Sequence, residues 1–534
     1  MIQGGQAAAA PPSRFEPPLG AYSATRPPRR AVTLVVIAVN VALAAALGAV
    51  AAFGGVAAVA VAVAAVALIW MLLRPQFATL VVLAILYSNA AAIAVQLHEW
   101  PYPIAALLPL MLVLPLGWYL LQRGEPLIVT PALRLILLLF VAELLSTIVS
   151  RDPGNAADAL FKFAVEGVFL VVAVTNVVRD IATVRRAVWV LLIIGAGLGV
   201  LSGYQQLTGS YDQDFLGFAQ VSRAVIETGT GVDVSGQPRL AGPIGEKNRY
   251  AQILIVLLPL AFTRMWDERT VLVRIAAAAM AVAISIGIAL TFSRGAAVAF
   301  AMMVVVMVAL RYIRLKQLVP VALGAIIVLT LFPTYTARLV TIESIGGAAS
   351  TGGQEGDPDD SIRSRLNEML AAGLAFADHP LLGTGPGMFP TYYPRYAADI
   401  GIKIEHTDRE AHNLFLGVAA DLGIVGLTLF LGIIWVVLRD LRRARRRWID
   451  ERPEIANLAT GFALAIVAYL GSGLFLHLAF ERYYWLLIGL AAATAWIALQ
   501  PAPATPAEAA DAGRGDRVPG LGGSAALRPS AGTG

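Results

Sequence analysis

The sequence contains no cysteine. That excludes disulfides, thiolate metal sites and a cysteine nucleophile. Charge is scarce too: 14% of the 534 residues are Asp, Glu, Lys or Arg, and there are five histidines. Soluble domains carry about 25% charged residues, so a free-standing soluble enzyme is excluded as well. What is abundant is apolar. Hydrophobic residues make up 58% of the chain, and the mean hydropathy is +0.72. This is the composition of an integral membrane protein. The net charge of +5 is modest, and its placement says more than its sum.

A bilayer-spanning helix needs about 20 apolar residues. Candidate segments centre near Val41, Val61, Ile85, Met111, Leu139, Leu170, Ile193, Val256, Ile284, Val304, Ile326, Leu422, Ala465 and Ile488. The expected fold is therefore an all-α polytopic membrane protein with about 12–14 transmembrane helices. Arg26, Arg29 and Arg30 precede the first segment, so the positive-inside rule predicts a cytoplasmic N-terminus. The remaining Lys/Arg clusters then fall on inner loops, the densest being RDLRRARRRW at 439–448. The histidines fall outside or near the outer ends of spans.

This layout divides the chain. Residues 1–30, rich in proline, are expected to be a disordered cytoplasmic N-terminus. Residues 31–333 hold membrane helices with an outer loop at 208–247. Residues 334–411 form a large, partly helical extracytoplasmic loop. Residues 412–500 return to membrane helices, and 501–534 read as a disordered cytoplasmic tail. Within the large loop, DDSIRSRLNEMLAAGLAFADHPLLG predicts a helix capped by Asp360 or Ser361, with Ile362, Leu366, Met369 and Leu370 at helical spacing. Asp378-His379-Pro380 stops it, and GTGPGMF is a tight glycine-rich loop.

Chemistry-bearing residues gather on the predicted outer side. His412 and Asn413 open HNLFLGVAADLGIVGL, a glycine-spaced apolar helix at a loop–membrane seam. A histidine there can transfer protons, although a lone histidine at such an interface is more often a solvated or structural side chain. Asp408 and Glu410 lie close enough in sequence to orient it or raise its pKa. Arg294, in TFSRGA between two spans, is either an anion ligand or a side chain snorkelling to headgroups. RLAGPIGEKNRYAQ places Arg239 and Asn248 at a tight turn into a span, where helix-start N–H groups favour anions; a plain loop-to-helix junction reads the same way. Arg363 and Arg365 lie two apart on a helix and face nearly opposite ways, so one of them faces any given site. Glu143 and Glu166, acidic residues inside spans, could suggest a proton-coupled transporter, but they are scattered along the sequence and no inverted repeat accompanies them. No zinc-like ligand spacing is present, and His406 and His412, six apart, are not a helical metal pair.

Taken in order, these stretches resemble the bacterial O-antigen ligases and their Wzy-type polysaccharide polymerase relatives. The resemblance rests on RLAGPIGEKNRYA, TFSRGA, SRLNEMLAAGLAFADHPLLGTGPGMF and His412-Asn413 with Gly423 and Gly426, and it covers about residues 235 to 435. It implies a GT-C-like helical fold and a metal-independent, inverting glycosyltransferase without a cofactor. It implies a polyprenyl-diphosphate-linked glycan donor and a glycan, lipid A-core or protein hydroxyl acceptor. The setting would be the outer face of the bacterial cytoplasmic membrane, in contact with the lipid bilayer and with no nucleic acid. Carried over by position, His412 is the catalytic base, Arg294 and Arg365 act on the diphosphate, and Arg239 matches the arginine opening the family's glycine-asparagine turn; Arg239, Asn248, Asn413 and Arg363 are the expected substrate contacts. The alternative is a transporter or flippase of a lipid-linked saccharide.

Overall fold

In the computed structural model, the residues described are 74–99, 110–222, 226–228, 231–233, 238–312, 358–401, 409–477 and 481–501, with isolated positions elsewhere. Nearly all belong to one compact unit, residues 38–499. The N-terminal 1–30 segment, the expected spans near Val41 and Val61, most of the one near Ile326, and the tail beyond residue 501 lie outside the described residues.

The described residues are helical almost throughout. The chain runs through α1 (Pro75–Tyr87), α2 (Ala90–His98), α3 (Val113–Gly117), α4 (Pro131–Val149), α5 (Pro153–Phe163), α6 (Leu170–Val177) and α7 (Ile181–Thr208). After a loop come α8 (Lys247–Ile255), α9 (Leu257–Asp267), α10 (Val271–Leu290) and α11 (Arg294–Ala309). The rest is α12 (Pro358–Asp378), α13 (Phe389–Asp399), α14 (Leu414–Trp448), α15 (Pro453–Gly473) and α16 (Glu481–Leu499). Starts follow the sequence closely. Thr130, Asp152 and Asp180 each accept a hydrogen bond from the backbone N–H three residues on, which fills one orphan donor of the first turn. Two small antiparallel ladders interrupt the all-helical pattern in the 208–247 loop. They pair β1 (Gln220–Ser222) with β4 (Arg239–Gly242) and β2 (Ile226–Thr228) with β3 (Gly231–Asp233).

Among the described residues six helices are long and apolar enough to cross a membrane: α4, α7, α10, α14, α15 and most of α16. The pair α1 and α2, bent by 49° at Ser88-Asn89, makes a seventh. The stretch near Leu170 is built from α5, a π-helical turn over Ala164–Phe169, and α6. The stretch near Val256 is α8 and α9, joined at that residue. Many apolar side chains of α4 and α10 face outward: Leu138, Val141 and Ile148 on the first, Val271, Leu272 and Ile275 on the second. In water this would be unfavourable; beside hydrocarbon it is the expected surface. Glu166 is not isolated, as its sequence setting suggests: Arg482 of α16 pairs with it at 3.2 Å.

One seam organises the end of the bundle that carries His412. Helix α14 breaks at Gly423, whose φ of 64° and ψ of −163° are not helical. A helix broken inside a membrane span leaves backbone groups that must find partners. The loop after α12 supplies them. Ile424 and Val425 donate to the carbonyls of Pro380 and Leu381 at 2.8 and 3.3 Å, and Thr384 and Gly385 donate to those of Ala420 and Asp421 at 2.9 and 3.0 Å. Asp421 accepts from the N–H groups of Gly387 and Phe389 at 3.1 and 2.9 Å, while Ser146 of α4 donates to the carbonyl of Leu382 at 2.6 Å. Gly383, Gly385 and Gly387 all have positive φ, which is what lets this loop turn so tightly. Gly423 therefore does more than pack closely: a Cβ on it would lie 2.3 Å from the Leu381 backbone.

Candidate active site

The His412-Asn413 pair divides its labour. Asn413 is the N-cap of α14, its Oδ1 accepting from Phe415 N at 2.9 Å and Leu416 N at 3.0 Å. Its Nδ2 donates to the carbonyl of Leu474 at 3.2 Å. The cap fixes the helix start, and His412, with a left-handed φ of 44°, stands just before it. The imidazole Nε2 lies 3.4 Å from Glu368 Oε2. The ring of His477 is 5.9 Å away, centroid to centroid. Nδ1 of both histidines is buried and without a hydrogen-bond partner among the described residues.

Helix α12 brings two charged side chains to this point, Arg365 and, one turn later, Glu368. It begins at Pro358, earlier than a cap at Asp360 or Ser361 predicts, and ends at Asp378 as expected. Its packed face is not the leucine stripe. Leu366 and Leu370 are exposed, whereas Ala371, Ala372, Ala375 and Glu368 are fully buried. Alanines let the helix approach its neighbours closely, and the leucines are left to face outward. Glu368 Oε1 accepts from Ser364 Oγ at 3.0 Å and from Arg409 Nη1 at 3.3 Å. The backbone of Arg363 is part of α12, but its side chain lies outside the described residues.

A third contribution comes from the turn before α8. Glu246 caps that helix, accepting from the N–H groups of Asn248 and Arg249 at 3.0 and 2.7 Å. It also accepts from the Asn248 side chain at 2.9 Å. These helix-start N–H groups are thus already met by a carboxylate, which corrects the expectation that they bind an anion. Arg249 points into the bundle instead. It is buried, Nη1 donates to the carbonyl of His477, and Nη2 has no hydrogen-bond partner. Arg239 is a brace for its neighbour. Its Nε and Nη2 donate to the carbonyls of Thr291 and Phe292 at 2.9 and 3.0 Å, holding the turn that leads into Arg294, the first residue of α11. Arg294 is half-buried and close enough to act electrostatically on Arg365.

The charges decide the state of the bases. Burial pushes the His412 imidazole down to about 4, and Arg365, Arg249 and Arg409 push it the same way. His412 is therefore neutral at physiological pH. Its pKa moves opposite to the rise expected from Asp408 or Glu410. Asp408 lies outside the described residues, and Glu410 faces the other histidine, 3.6 Å from His477 Nε2. His477 is also held well below its ordinary value by burial and then by Arg249. Burial raises the carboxyls of Glu368 and Glu410, against the pull of nearby arginines.

Of the residues expected from the sequence, the structure brings His412, Arg365 and Arg294 toward one locus. It gives Asn413, Asn248 and Arg239 structural hydrogen bonds there. Sequence reasoning missed Glu368, Arg249, His477 and Arg409. Nothing in their spacing marks them, although Arg249 sits in a stretch already singled out. Among the described residues no three His, Cys, Asp or Glu side chains converge as a metal site.

No curated protein matches the chain. Residues 252–431 match a family model described as O-antigen ligase. Arg294, Arg365, His412, Asn413 and both halves of the α12–α14 seam lie inside that stretch; Arg239, Asn248 and Arg249 lie just before it. The chain is thus a multi-pass helical membrane protein in which residues 252–431 resemble the O-antigen ligase family, a match that supports membrane glycosyltransferase activity of the ligase or polymerase type in general terms.

Proposed function

We propose that the protein transfers a glycan from a polyprenyl diphosphate to a hydroxyl acceptor at the extracytoplasmic face of the cytoplasmic membrane, with His412 as the base. The observation that carries this reading is a neutral histidine ringed by arginines at the end of the bundle opposite the basic run. Helix α14 puts His412 at its start and Arg445, Arg446 and Arg447 in its last turn. The part of α14 beyond its break at Gly423, from Ile424 to Trp448, is by itself about 37 Å long at 1.5 Å per residue, longer than a hydrocarbon core of about 30 Å. The positive-inside rule then puts His412 outside.

The chemistry needs a base for the acceptor and cations for the leaving group. His412 takes the proton of the acceptor hydroxyl. Its oxygen bonds to the anomeric carbon as the bond from that carbon to the diphosphate breaks, inverting the configuration. Arg365 and Arg294 hold the departing diphosphate and meet the charge it gains. A base that titrates near 4 is weak. The donor's negative charge offsets the surrounding arginines, and so strengthens the base when the donor is in place.

His412→Ala tests this. In purified full-length protein, transfer from a polyprenyl-diphosphate glycan is expected to fall about 10²–10⁴-fold, the usual contribution of a general base. The thermal transition should not move. Unimpaired transfer would remove His412 from the mechanism. Movement of the lipid-linked glycan across vesicles without new glycosidic bonds would point to a transporter.

A further inference from the structure

We infer that Glu368 is a positioning residue that fixes the tautomer of His412, so that Nε2 carries the proton and Nδ1 is the basic atom. This rests on the proposed role of His412, but the geometry stands apart from it. Glu368 has no exposed surface. Of its two oxygens, Oε1 is held by Ser364 and Arg409. Oε2 makes no hydrogen bond and lies 3.4 Å from His412 Nε2, at ion-pair distance.

A buried carboxylate oxygen needs a donor, and among the described residues that nitrogen stands beside it. The distance is slightly longer than a good N–H···O bond, as often found for such pairs before substrate tightens them. In a neutral imidazole one nitrogen donates and the other accepts. A carboxylate against Nε2 makes Nε2 the donor and leaves the lone pair on Nδ1. When Nδ1 takes the acceptor's proton, the same carboxylate faces the new imidazolium and stabilises it.

Burial raises the Glu368 carboxyl; the Ser364 hydrogen bond, Arg409 and Arg365, one turn away on α12, favour the charged form that this requires, while Glu410 opposes it. The other charged or titratable groups acting on His412 are Arg365, Arg249 and Arg409, with His477 beside its ring. Glu368 is the carboxylate at its nitrogen. Because Arg365 and Glu368 share one helix, α12 delivers a leaving-group cation and the base's orienting carboxylate as a rigid unit.

The test compares the wild type with Glu368→Gln, Glu368→Asp and His412→Ala in the full-length membrane protein. With five histidines in the chain, ¹⁵N-histidine spectra at neutral pH can assign His412 by its absence in His412→Ala. The expected result is an Nε2–H tautomer in the wild type, lost or mixed in Glu368→Gln and restored in Glu368→Asp. Glu368→Gln should lower kcat about 10²-fold with the donor KM within about threefold, and Glu368→Asp should recover part of the loss. An Nδ1–H tautomer in the wild type, or a spectrum unchanged in Glu368→Gln, overturns the inference, whatever the activity. An active His412→Ala overturns the function proposed above while leaving the tautomer result standing. If Glu368→Gln does not fold, the wild-type spectrum and Glu368→Asp decide.

Discussion

Two regions at the same end of the bundle treat polar groups in opposite ways. Along the seam between residues 380–389 and 420–425, backbone donors and acceptors meet each other one for one. Around His412, a few residues away, buried polar atoms are left open: Nδ1 of His412, Nδ1 of His477, Nη2 of Arg249 and Oε2 of Glu368. Burying an unmet polar group is costly. A fold that satisfies the seam so fully and leaves the neighbouring cluster open is using the first to hold the second in place. The seam fixes where α12 and α14 meet; in the proposed mechanism the open cluster is where substrate groups are received.

The contrast can be broken most severely at Gly423. Gly423→Ala would place a Cβ 2.3 Å from the Leu381 backbone, at a φ of 64° and a ψ of −163°, a region of backbone space that is essentially glycine-only. Folded protein in the membrane is expected to be largely lost, read as abundance and as a melting point in detergent. Near-normal amounts would mean that the seam does not hold the site. The open cluster should respond in the other direction. Arg365→Lys keeps a charge but not the planar fork. Transfer should drop about tenfold or more while the melting point stays within about a degree or two.

A subtler probe lies between these. Asp421→Asn leaves one oxygen where two now accept from Gly387 and Phe389. It should cost about 1–3 kcal/mol of stability, with activity per folded molecule retained. A large loss of kcat with unchanged stability would blur the line between the two regions. The smallest effect concerns pH. The folded His412 titrates near 4, below its ordinary 6.5. A base is active when deprotonated, so its limb lies below pH 5. Thus kcat/KM, which reports the free enzyme, should stay level from pH 7 down to about 5. A tenfold fall per unit beginning near 6.5 would show that the arginines do not control this histidine.

Much of the site could be read one residue at a time. His412 was visible because it stands at the seam of a polar loop and an apolar run, and Arg294 because an arginine between spans is costly. The stop at His379-Pro380 and the glycine loop after it followed from local backbone chemistry. Glu368 could not be read this way. A glutamate in a polar helix has no local mark, and its meaning comes from an imidazole 44 positions away in sequence, counting from 368 to 412. The leucines of α12 misled for a related reason. Spacing predicted a helix correctly, but it cannot say which face meets protein and which is left exposed.

Composition and hydropathy by themselves determined that this is a polytopic helical membrane protein, because burying a backbone in hydrocarbon leaves helices as the economical choice for such apolar runs. The ordered motifs determined its likeness to the O-antigen ligases. Only the tertiary structure decided that Gly423 breaks its helix, that Glu246 already occupies the helix start of α8, that Arg239 braces a turn, and that Glu368 faces His412. Each of those depends on a partner from a distant segment, and a hydrogen bond or a close contact exists only once both partners are in place.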